Sequence, residues 1–129
     1  MADARNVMAT DLVSVSPSTS LEEAAARMDA RHVGAAVVLE GARLVGILTE
    51  RDILRAVARG AIGGSDVAGW MTKNPETIEP DDSTGHAAVL MIHGGFRHLP
   101  VTEGGSLVGI ISIRDLIRVT LDDQSPRGV

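Results

Sequence analysis

The chain has 129 residues, 44% of them apolar, and the apolar share is almost wholly aliphatic, with Trp70 and Phe96 as the aromatic exceptions. A net charge of −5 argues against a general nucleic-acid binder, which needs a basic stripe to displace counterions. Cysteine is absent, so disulfides and thiolate metal ligands are excluded.

The opening MADARNVMATDLVSV has no basic start followed by an apolar run, so it does not read as a signal peptide. No stretch approaches the ~20 apolar residues that span a bilayer. The expectation is a cytoplasmic protein with no membrane partner. VSVSP (13–17) predicts a short strand stopped by Pro17. Ser20 with Glu23 three residues on has the capping-box spacing and starts a helix. Leu21, Ala24, Ala25 and Met28 mark its buried face, and Gly34 is expected to end it. AAVVL (35–39) and RLVGIL (43–48) read as a hairpin around EGA. A second helix is expected from about Glu50, with Ile53, Leu54 and Val57 turned inward.

The same order then recurs. TIEP (77–80) predicts a strand, and Ser83 caps a helix with Ala87, Leu90 and Met91 on one face. HLPVT (98–102) and SLVGII (106–111) form a hairpin, and a last helix runs from about Ile113 to Leu121. Shifting the sequence by 63 places 3–58 on 66–121 without a gap, with 17 of the 56 pairs identical. One unit of roughly 60 residues is duplicated. The partition expected is 3–60, a linker at 61–69, 70–122, and a flexible tail at 123–129. About 60 residues bury little core alone, so the two units are expected to pack their sheets, or their helices, against each other about a pseudo-two-fold axis. The fold class is α/β (α+β), with two β-α-β-β-α repeats.

One corner is built twice, in VGILTERD (45–52) and VGIISIRD (108–115). Thr49 and Ser112 stand at the N-cap, with Asp52 and Asp115 at N3. Free N–H groups and the helix dipole suit a phosphate there. The hydroxyl can donate to a phosphate oxygen, the carboxylate can accept from the vicinal hydroxyls of a ribose, and Arg51 and Arg114 add positive charge. The same spacing is also an ordinary helix cap, with the Asp favoured by the dipole alone.

The corner and its context resemble a tandem pair of CBS domains, the Bateman module. The residues that carry the likeness are SVSPSTSLEEAAARM and RLVGILTERDI in the first half. In the second half they are TIEPDDS, GGFRHLPVTEGGSLVGI and ISIRDL. The resemblance covers roughly 3–121. It implies clefts for AMP, ADP, ATP or S-adenosylmethionine. Asp52 and Asp115 match the family's ribose-binding position, and Thr49 and Ser112 match its phosphate-side hydroxyl. Arg97 and His98 match a basic pair that serves the phosphates of the neighbouring cleft. Adenine is expected at the backbone of Ser14-Val15 and Thr77-Ile78. A flat homodimer joined through helices is also implied, with Ala24, Ala25, Ala87 and Ala88 allowing close approach.

The first half departs from this pattern, because Gly34 and Ala35 stand where the second has Arg97 and His98. The two clefts are therefore expected to differ, the Thr49/Asp52 cleft being competent and the Ser112/Asp115 cleft weak or empty. His32, His86, His93 and His98 show no metal-ligand spacing, so no metal site is expected. No nucleophile elbow, phosphate-cradling glycine loop or triad appears. Met8, Met28, Met71 and Met91 recur as pairs and read as core or interface packing, and Trp70 reads as a plug for a dimer interface or, by preference, a cover for the core. The reading is a regulatory module, not an enzyme, that senses an adenosine-containing ligand for an unknown effector protein. The rivals are a scaffold without ligand, in which the corners are only caps, and a nucleotide-using hydrolase or transferase.

Overall fold

The computed structural model describes residues 2–124. Its elements are α1 (Ala4–Val7), β1 (Ser14–Val15), α2 (Leu21–Arg31), β2 (Ala35–Glu40), β3 (Arg43–Thr49) and α3 (Glu50–Ala58). After a 3₁₀ turn at Val67–Gly69 come β4 (Thr72–Lys73), α4 (Thr84–Gly94), β5 (His98–Glu103), β6 (Ser106–Ser112) and α5 (Ile113–Gln124).

The residues gather into two units, and these are offset from the duplicated segments. The first is Asp11–Pro75, and the second combines the described residues before Asp11 with those from Glu76 on. The partition at 3–60 and 70–122 therefore differs from that of the fold. Residues 61–69 are docked in the first unit. Leu21 N–H donates to Ser65 O, Val67 N–H donates to Thr19 O, and Val67 is fully buried. At the other end α5 continues to Gln124, past the expected start of a tail at 123, and 125–129 lie outside the described residues.

In the first unit the sheet order is β1-β2-β3-β4, with β1 parallel to β2 and the other pairs antiparallel. Its core holds Val13, Val15, Leu21, Ala24, Met28, Ala36, Val38, Leu48, Ala56 and Val67. α2 starts as read, with Ser20 Oγ accepting from Glu23 N–H at 3.1 Å. It ends earlier than expected. His32, not Gly34, takes the left-handed turn, at φ 55°. Gly95 takes that turn in the second copy. The expected inward face of α3 is also corrected. Leu54 and Val57 are exposed, while Asp52 and Ala56 are buried and Ile53 packs on the core. Methyl-sized Ala56 faces the core beside Ile53, and Leu54 and Val57 point away. Trp70 packs against this core, with Arg59 over its ring at 5.9 Å from the centroid.

The second unit repeats the same strand order with its outer strands worn down to single bridges. β5 and β6 pair antiparallel, Ile78 bridges Val101 in parallel, and Ala9 bridges Ile110 antiparallel. The strand expected at 77–80 is thus one bridge. Its cause lies on the neighbouring strand. Val37 N–H donates to Val13 O in the first unit, and Pro100 holds the equivalent position without an N–H to give. The core here is Ala4, Ile78, Ala87, Met91, Leu99, Val101, Ile111 and Leu116. Ala24 and Ala87 are fully buried in the cores of their own units, so they do not supply the small-residue helix faces expected of a dimer contact.

Candidate functional site

The register of each hairpin sets its corner. Ala35 pairs with Thr49 and His98 with Ser112, so each hydroxyl residue leaves the sheet opposite the first residue of the neighbouring strand. The helix then begins against that strand, as Glu50 N–H donates to Gly34 O at 3.0 Å and Ile113 N–H to Arg97 O at 2.8 Å.

Within the corner the polar groups satisfy one another. Thr49 N–H and Thr49 Oγ1 both donate to Asp52 Oδ2, at 2.9 and 3.2 Å, and Asp52 N–H donates back to Thr49 Oγ1 at 3.4 Å. In the second copy Ser112 N–H and Oγ donate to Asp115 Oδ2 at 2.8 and 3.0 Å, and Asp115 N–H returns to Ser112 Oγ at 3.2 Å. This is a capping box made with Asp. The second carboxylate oxygen is taken too. Arg55 Nη2 lies 3.2 Å from Asp52 Oδ1, and Arg118 Nη1 lies 3.2 Å from Asp115 Oδ1. Asp52 is 4% exposed and is the buried charged residue of the described core.

Sequence reasoning missed Arg55 and Arg118. It selected Arg51 and Arg114, which follow the hydroxyl closely in sequence but lie exposed on the outer side of the first turn. The signal was available: an Arg three residues after an Asp on a helix shares its face, and both copies carry it. Thr49, Asp52 and Arg55 come together in the first unit. Ser112, Asp115 and Arg118 come together in the second, with Arg97 just before the adjoining strand and His98 at its start. Ser14 lies on β1, paired with Val37, and its carbonyl accepts from Arg27 Nη1 at 3.0 Å. Thr77 is exposed beside the Ile78 bridge.

The corners differ in charge. A methyl group placed on Gly34 would lie 3.2 Å from Glu50 Cδ and Oε1, so the Glu50 carboxylate covers the strand end beside Thr49. Ile113 replaces Glu50 in the second copy, and Arg97 replaces Gly34. Within its own unit the Ser112 corner is the less acidic of the two. A pocket of about 380 Å³ in the first unit lies elsewhere, between Pro17, Arg43, Met71, Lys73 and Asn74. Among the described residues no cluster of three His, Asp or Glu side chains can hold a metal, and no helix is long and apolar enough to cross a membrane.

Comparison with known proteins places this geometry. The CBS domain family matches residues 4–59 and 65–122. The CBS domain-containing protein YhcV of Bacillus subtilis is 35% identical over 126 residues, covering 97% of this chain and 90% of the relative. An uncharacterized 17.7 kDa protein of Acidianus ambivalens is 40% identical over 118 residues, covering 90% of this chain and 71% of the relative. Among solved structures, CBSX2 of Arabidopsis thaliana in complex with AMP has a TM-score of 0.84 at 25% identity, over 97% of this chain and 100% of that one. The CBS domain pair of protein MJ0100, in complex with 5′-methylthioadenosine and S-adenosyl-L-methionine, has a TM-score of 0.90 at 22% identity, over 96% of this chain and 99% of that one. Two matched segments, two β-α-β-β-α units and two Thr/Ser-x-x-Asp corners agree, and the chain belongs to the CBS domain family, as a pair of CBS domains covering nearly its whole length.

Proposed function

We propose that this CBS pair is a cytoplasmic, non-catalytic regulatory module that binds an adenosine-containing ligand, either an adenine nucleotide or S-adenosylmethionine. Thr49 and Asp52 hold the sugar and the adjoining phosphate, with Arg51 nearby, and Arg97 and His98 are further candidates for a phosphate contact. Adenine meets the backbone at Ser14-Val15 and Thr77-Ile78. Ser112, Asp115 and Arg114 form a second, unequal site. The observation that carries this reading is the twice-built corner with its inward carboxylate, in a fold whose relative CBSX2 was solved with AMP. Calorimetric titration with AMP, ATP and S-adenosylmethionine tests it. Binding to the wild-type chain that is lost in Asp52→Ala is expected. No heat at millimolar ligand, or unchanged binding by Asp52→Ala, overturns it.

One observation favours the scaffold reading. Both carboxylates are already satisfied by their own helix starts and by Arg55 or Arg118. A homodimer fits either reading. Leu54 and Val57 of α3 and Ile117 and Leu121 of α5 are exposed, and helix faces of this kind gain by being covered. Sedimentation equilibrium gives twice the chain mass if they meet in a second copy, and the monomer mass if they do not.

A further inference from the structure

We propose that Arg55 and Arg118 guard the two corner carboxylates, so that a sugar enters each corner by exchanging a guanidinium for a diol. The inference rests on the reading that ribose binds at Asp52 and Asp115. A carboxylate oxygen offers two lone-pair directions. Asp52 Oδ2 receives two donors from Thr49, and Asp115 Oδ2 receives two from Ser112. Only Oδ1 is left for a vicinal diol, whose two hydroxyls need both of its acceptor directions, and at both corners an Arg takes one of them at 3.2 Å.

Burial makes the obstruction effective. The Asp52 side chain is 5% exposed and that of Asp115 is 16%. Their Arg partners are 50% and 62% exposed, so either can swing into water without unpacking the core. The carboxylate is fixed by the helix cap, while its cover is free to move. Each Arg sits one turn along from its corner, so its release changes the charged face of α3 or α5 when ligand arrives. The same pairing at two places that differ in their surroundings, with Glu50 in one and Ile113 in the other, ties it to the carboxylate rather than to local crowding.

The test uses adenosine, which carries the diol without a phosphate, and 2′,3′-dideoxyadenosine, which carries neither. Arg55→Gln removes the charge and shortens the side chain, so the guanidinium cover on Asp52 is lost. Adenosine is expected to bind Arg55→Gln about two- to five-fold tighter than wild type, the worth of a half-exposed ion pair. Dideoxyadenosine is expected to show no change. Equal or weaker adenosine binding by Arg55→Gln overturns the guard. So does a loss confined to AMP, which would make Arg55 a phosphate contact. Adenosine and AMP both failing to bind wild type overturns the sugar-binding corner itself, and the guard falls with it. Nitrogen-detected NMR of the wild-type guanidinium groups needs no substitution. Saturating adenosine is expected to move the Arg55 or Arg118 signals into fast exchange with water, and unmoved signals at saturation overturn the exchange.

Discussion

In Asp52 one carboxylate oxygen receives both donors of Thr49 and the other faces Arg55. The side chain therefore starts α3 whether or not a ligand is ever present. Removing it orphans the Thr49 N–H in a half-buried corner. Asp52→Ala is expected to cost about 1–3 kcal/mol, the usual range for a lost cap that strands a buried donor. Asp115→Ala is expected to cost less, because its site is more open to water. Urea unfolding of the two variants gives the order, and a larger loss at Asp115 would contradict this account. His32 presents the opposite case. It holds φ 55° where the other copy uses Gly95. A side chain in that region costs roughly 1 kcal/mol, part of which glycine gives back through its freer unfolded state. His32→Gly is expected to raise stability by about 0.5–1 kcal/mol, read as a rise in the urea midpoint with unchanged slope.

At the scale of elements, the glycine inside each VGI motif has a packing cause. A methyl on Gly46 would lie 2.6 Å from Met71 Sδ and 2.9 Å from Thr72 O; on Gly109 it would lie 2.6 Å from Met8 Sδ and 2.9 Å from Ala9 O. In both copies a methionine and the backbone after it cross the glycine, and that explains the paired methionines as packing. Gly46→Ala and Gly109→Ala are each expected to destabilise by about 1–3 kcal/mol, since a backbone carbonyl cannot move aside as a side chain can. Thermal melts of the two variants check this, and an unchanged melting point in either would mean the crossing strand relaxes freely. The helices and hairpins were legible in the sequence because their apolar periods are strong and each pattern occurs twice. The αL turn at His32 was not, since nothing marks a non-glycine residue there. The face of α3 was misread because size was taken for burial, and small Ala56 lies inward instead of Leu54 and Val57. The strand at 77–80 was lost through a proline on another strand, which a local pattern does not contain. Of the candidate site, the hydroxyl and the carboxylate were legible from cap spacing alone. The Arg that covers the carboxylate was not, because neighbours in sequence were preferred to neighbours on the helix face.

For the whole molecule, the offset between duplicated segments and folded units has a consequence for cutting the chain. A fragment made at the sequence repeat, from residue 66 on, lacks residues 2–10 and keeps 66–75, which belong to the first unit. The missing segment contributes much to the second. Ala4 is fully buried in its core, and Met8 packs on Gly109. Ala4 N–H donates to Asp82 O, Arg5 N–H to Pro80 O, and Thr84 N–H to Ala2 O; Ala9 and Ile110 exchange a pair of backbone bonds. At about 1 kcal/mol net for each such bond, with the buried Ala4 and Met8 contacts added, removing residues 2–10 is expected to cost about 4–6 kcal/mol, comparable to the whole stability of many small domains. Arg5 adds little, because its pairs with Asp81 and Glu103 are open to solvent. The deletion should act unevenly, and hydrogen exchange reads that directly. Amides of β5 and β6 are expected to lose protection well before those of β2 and β3, whose outer strand β4 is still in place. Equal loss in both hairpins would show that the N-terminal segment supports the two units alike. Restoring residues 2–10 by a flexible linker after residue 124 should return protection to β5 and β6, because these contacts depend on the presence of the segment and not on its place in the chain order.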